Sequence, residues 1–123
     1  MHFHHGVGFR YNAIQPVSDS DDGLNITRPH ILPQYHAYLI VNEAIGKSGN
    51  SFIAELPTTN VNMTAFGIWE DEELARVVVM NMQVYLGEGT KPSIDVNIEG
   101  LQAHSPAKAK FLETKKTTDH TGL

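Results

Sequence analysis

The 123-residue sequence contains no cysteine. That excludes disulfides, thiolate zinc sites and cysteine nucleophiles, and leaves the compartment open. No apolar run is long enough to cross a bilayer. The opening MHFHHGVGF is no signal peptide, because His2, His4 and His5 stand where its apolar core would be. Positive charge is scarce: nine Lys and Arg against 14 Asp and Glu leave a net charge of −5. This balance argues against nucleic acid or an anionic membrane as partner, since both recruit clustered cations. Lys108, Lys110, Lys115 and Lys116 form a short basic cluster with Phe111 as its aromatic neighbour, and read as a solvated face.

Complete catalytic and ligand-binding motifs are missing as well. His2 and His4 share one face if extended, but a zinc site needs a third and a fourth ligand converging on them. His30 and His36 lie six residues apart and cannot share a helix face. Asp19, Asp21 and Asp22 lack the ligand spacing and closing Glu of a calcium loop. No metal and no cofactor is expected. Gly46-Lys47-Ser48-Gly49 does not fill the G-x-S-x-G nucleophile pattern. Gly6-Val7-Gly8 lacks the third glycine and following helix of a phosphate loop. Glu70 to Glu73 are four adjacent carboxylates between two strand-like runs. Glycosidase carboxylates must face one another across a sugar, so this run reads as a solvated hairpin tip. No complete active site is expected from these residues.

What is present is one helical pattern, predicted over 29–46, followed by strand patterns. Pro33 suits a first helical turn and Gly46 the position just past a last one. Between them Tyr35, Tyr38, Leu39, Asn42 and Ile45 recur at three- and four-residue spacing. Leu32, Ala37, Ile40, Val41 and Ala44 extend the apolar surface nearly around the helix, which predicts cover on several sides. Strands are predicted at 51–56, 63–69, 74–86 and 93–98, with a weaker one at 107–112. The 93–98 run alternates Ile94, Val96 and Ile98 with Asp95 and Asn97, the pattern of a half-buried antiparallel strand. Short strands at close spacing with turns between them predict a sandwich. The architecture reads as incomplete at both ends.

Two N-x-[ST] sequons, Asn25-Ile26-Thr27 and Asn62-Met63-Thr64, make Asn25 and Asn62 glycosylation candidates and favour a secreted protein. Trp69 and Tyr85 are the pair from which a carbohydrate-stacking platform would be built, although core packing is the plainer role for both.

The runs HHGVGFRYNAIQP, RPHILPQYHAYLIVNEAIG, FIAELP, MTAFGIWEDEELARVVVMN and SIDVNIEGL, in this order, resemble the C-terminal region of fungal β-glucuronidases of glycoside hydrolase family 79. The resemblance covers nearly the whole chain. It implies a mainly β fold: an incomplete antiparallel β-sandwich at 47–123, preceded at 1–46 by the last strand, loop and helix of a (β/α)8 barrel. It also implies retaining hydrolysis of a glucuronide-containing glycan by the parent enzyme, and an extracellular address. Both catalytic Glu positions fall outside the matched region, so no activity is expected of the chain alone. Residues 4–12 would lie at the barrel rim, where active sites of such barrels sit. Phe9, Arg10 and Tyr11 are therefore the candidate substrate-binding residues, with Tyr11 the preferred partner for the sugar carboxylate. Two other readings stand beside this one: a free-standing carbohydrate-binding sandwich, and a protein-docking module that also self-associates through its uncovered helix.

Overall fold

A computed structural model describes residues 13–15, 29–99 and 106–119. The described chain is mainly β, with two antiparallel sheets and one helix. The first sheet is a short clip in which β1 (Ile14–Gln15) pairs with β2 (His30–Ile31), Ile14 opposite Ile31 and Gln15 opposite His30. The Leu32 amide extends the clip by donating to the Ala13 carbonyl at 2.9 Å. Gln15 and Leu32 are both buried here.

Helix α1 (Pro33–Ile45) begins four residues later than the 29–46 stretch read as helical, because His30 and Ile31 pair as strand β2 instead. Pro33 occupies the first turn, where a missing N–H breaks no helical bond. No side chain caps this end; Leu32 is extended, and its carbonyl accepts from the Tyr35 amide at 2.9 Å. Gly46 ends the helix at φ +77°, its amide donating to the Asn42 carbonyl. No residue of α1 is fully buried, and Leu39, Val41 and Ile45 are 40–54% exposed. The apolar circumference read from the sequence therefore lies largely open.

The second sheet is a meander, β3 (Phe52–Leu56), β4 (Met63–Glu70) and β5 (Glu73–Asn81), in that spatial order. Paired residues share a face, and faces alternate along each strand. Ile68 pairs with Ile53 and Arg76, and Phe66 with Glu55 and Val78, so these lie on one face. Trp69 pairs with Phe52 and Leu74, and Gly67 with Ala54 and Val77, on the other. Ile68, 1% exposed, and Ala65 are buried in the central strand on opposite faces of the sheet. A bulge at Ile68/Trp69 sets Arg76 and Leu74 opposite consecutive β4 residues.

The 74–86 prediction ran too far: β5 stops at Asn81. The Asn81 side chain accepts from the Gln83 amide at 3.0 Å and turns the chain out of the sheet, a local bond that competes with strand pairing. The strands predicted at 93–98 and 107–112 are not formed. Their residues are described but enter no ladder, because alternation makes a strand only where a neighbouring edge accepts its backbone bonds. One reciprocal link crosses this region: the Thr117 amide donates to the Tyr85 carbonyl at 2.7 Å, and the Tyr85 amide to Thr117 Oγ1 at 2.8 Å.

Candidate functional site

Phe9, Arg10 and Tyr11 lie outside the described residues, as do Asn25 and the three N-terminal histidines. Among the described residues no group of three His, Asp or Glu side chains converges as a metal site. Trp69 and Tyr85 find different partners. The Tyr85 hydroxyl donates to the Gly89 carbonyl at 3.3 Å, whereas Trp69 packs on Phe52 with ring centroids 5.9 Å apart. The indole also lies across Gly67, where a Cβ would meet ring carbons at 2.7 Å or closer. With Asn50, Asp71 and Glu72, the two rings line an open hollow of about 560 Å³.

The best-organised polar cluster is the junction of helix and sheet. The hairpin β4–β5 turns on Asp71 and Glu72, at φ +50° and +70°. Positive φ at both central residues is the type I′ geometry, whose twist matches the flanking strands. The turn brings Glu70 and Arg76 to one face, with Arg76 Nη1 donating to Glu70 Oε1 at 2.9 Å. The same nitrogen reaches the Ala44 carbonyl of α1 at 3.3 Å. The Ser48 hydroxyl also donates to Glu70 Oε1 at 3.3 Å, while the Ser51 hydroxyl donates to the Ile45 carbonyl at 2.5 Å and lies 3.4 Å from Glu70 Oε1.

The geometry follows from what a helix end leaves undone. The last carbonyls of a helix have no intrahelical donor. Here two of them, Ala44 and Ile45, receive donors from the sheet and the connecting loop. A cation at a helix C-terminus also meets the negative end of its dipole. The Arg76 hydrogen bond is the main reason the Glu70 carboxyl sits below its usual range; partial desolvation opposes it, and the Arg76 charge and the two serine hydroxyls reinforce it. Gly46 lies against this cluster, where an added Cβ would fall 2.8 Å from Glu70 Oε1 and 2.9 Å from Arg76 Nη2. The cluster holds the end of the helix against the sheet. Glu70 is thus an anchored carboxylate and only Asp71 and Glu72 form the hairpin tip, which corrects the reading of 70–73 as uniformly solvated. The available signal was an acid and an arginine six residues apart, flanking a two-residue turn.

No curated protein and no solved structure matches the chain. Residues 65–122 match the family model for the glycosyl hydrolase family 79 C-terminal beta domain. The match begins within β4, spans β5, and leaves out α1, Ser48 and Ser51. In its second half, then, the chain is similar to the C-terminal β-domain of family 79 glycosyl hydrolases.

Proposed function

We propose that this chain provides the C-terminal β-domain of a β-glucuronidase-like retaining hydrolase of family 79, supporting a catalytic barrel rather than performing catalysis. The observation that carries this reading is the junction around Glu70 and Arg76. It fixes α1 to the sheet by the helix C-terminus and leaves Leu39, Val41 and Ile45 facing outward. A helix held at one end, with an open apolar side, is suited to bridge two layers. The family match at 65–122 supports the sheet half of the reading, and the resemblance of about 31–46 to a last barrel helix supports the other.

Two measurements test it. The purified chain should not turn over aryl glucuronides above a mock preparation. Co-expressed with the barrel polypeptide of a family 79 β-glucuronidase stripped of its own β-domain, it should co-purify with that barrel and raise its soluble yield. Loss of co-purification in a Val41→Glu variant is expected. Turnover by the isolated chain, or a barrel that ignores it, overturns the proposal.

The hollow at Phe52 and Trp69 favours a second reading, binding of a neutral sugar. Aromatic faces stack on the C–H face of a pyranose, while Asn50, Asp71 and Glu72 offer hydrogen-bonding groups at the rim. Titration with neutral oligosaccharides should then shift the emission of Trp69. An unchanged spectrum at millimolar sugar removes this reading.

A further inference from the structure

We infer that Asn62 is an N-glycan acceptor and that the folded hairpin β3–β4 is shaped to carry the glycan. The sequon Asn62-Met63-Thr64 straddles the start of β4. Asn62 lies in the tight turn before it, in which the Met63 amide donates to the Asn60 carbonyl at 3.0 Å. The turn is braced from within. The Asn62 amide donates to Asn60 Oδ1 at 2.9 Å, and the Thr58 hydroxyl to the Met63 carbonyl at 3.0 Å. The Asn62 carbonyl accepts from the Met82 amide at 2.7 Å.

The Asn62 backbone is thereby held, while its exposed side-chain amide takes part in none of the described hydrogen bonds. Next to it Val61 is 96% exposed, so the tip points fully into solvent. A glycan on Asn62 Nδ2 would break no described bond and would set a hydrated group beside an apolar side chain. Asn60, two positions earlier in the turn, has no hydroxyl two residues on and spends its side chain on the Asn62 amide.

The transfer is to the nascent, extended chain, in which the Thr64 hydroxyl completes the sequon. The donor is a lipid-diphosphate-linked oligosaccharide. The Asn62 amide nitrogen attacks the anomeric carbon, forming the C–N bond as the C–O bond to the diphosphate breaks. The lipid diphosphate leaves with the bonding pair, and the amide proton passes to a base of the transferase. The inference is independent of the domain reading, since a support domain works with or without a glycan.

The test is translation of the full chain behind a secretory leader in the presence of microsomes, with only protease-protected chains analysed. N-glycosidase treatment in heavy-oxygen water should convert Asn62 to labelled Asp in the peptide that spans it. Asn62→Gln and Thr64→Ala should each remove one glycan's increment in mobility, whereas Thr64→Ser should retain it. The Asn25 peptide is read separately, so modification there does not bear on the result. An unlabelled Asn62 in protected chains, or a mobility pattern unmoved by Asn62→Gln, overturns the inference.

Discussion

At Gly46 the backbone takes φ +77° and ψ −162°, a region that side-chain-bearing residues avoid, and a Cβ there would displace the ends of the Glu70 and Arg76 side chains from their ion pair. Gly46→Ala should lower stability by about 1–3 kcal/mol in denaturant titration. It should also weaken hydrogen-exchange protection at the end of α1 more than in β4. Glu72 illustrates the opposite case, a non-glycine residue at φ +70° in an exposed turn. Glu72→Gly should remove left-handed strain and raise the unfolding midpoint by the equivalent of about 1 kcal/mol. Glu70 titrates below its usual range, so its contribution is complete above the unfolded-state pKa and is lost as pH falls through the lowered folded-state value. The difference in melting temperature between wild type and Glu70→Gln should accordingly shrink on acidification below the usual carboxylate range. A difference that stays constant across that window would show that the Glu70 charge does not stabilise the fold.

Among the elements, the central strand β4 carries the packing. Ile68→Ala should cost about 2–5 kcal/mol, because a fully buried side chain is lost and the neighbouring strands cannot collapse onto the space. Gly67→Ala should force the Trp69 indole off the sheet at about 1–3 kcal/mol, and the emission of this single tryptophan should move to longer wavelength. The end of the helix was legible at Gly46 by backbone chemistry alone, but its start was read at residue 29, four residues early, although Pro33 marks the first turn. β3 and β4 were legible from β-branched and aromatic content between turn signals. The failures share one cause. Alternation at 93–98 records a preference for one buried face, but a strand also needs a partner's backbone, which sequence pattern does not supply. The early end of β5 turns on the side-chain bond of Asn81 to its own downstream backbone. The junction was missed because Glu70 was read with its acidic neighbours rather than across the turn, where its charge is matched by Arg76.

Over the whole molecule, large apolar side chains stand open on both the helix and the sheet: Leu39, Val41 and Ile45 on α1, Phe52 and Ile53 on β3. Apolar side chains left open on several faces favour association. The isolated chain should therefore sediment as a concentration-dependent mixture and bind a hydrophobic dye. A Leu39→Gln/Val41→Gln double variant should shift it toward monomer with a stability change within about 1 kcal/mol, since both sites are exposed. A monomer at every concentration in the wild type would show that these side chains do not meet in solution. The meander has a consequence in time as well. Each of its strands pairs with its immediate neighbour in the sequence, and β4 joins β5 through two residues. Closing such a hairpin takes about 1–10 μs and forms only local contacts. The Glu70–Arg76 pair is set by that closure, so the receptor for the helix end exists as soon as the hairpin does. On a growing chain the order is inverted: α1 emerges first, and while the Ile45 carbonyl meets Ser51 six residues on, the Ala44 carbonyl waits for Arg76, which leaves the ribosome 32 residues later, roughly two to six seconds at ordinary synthesis rates.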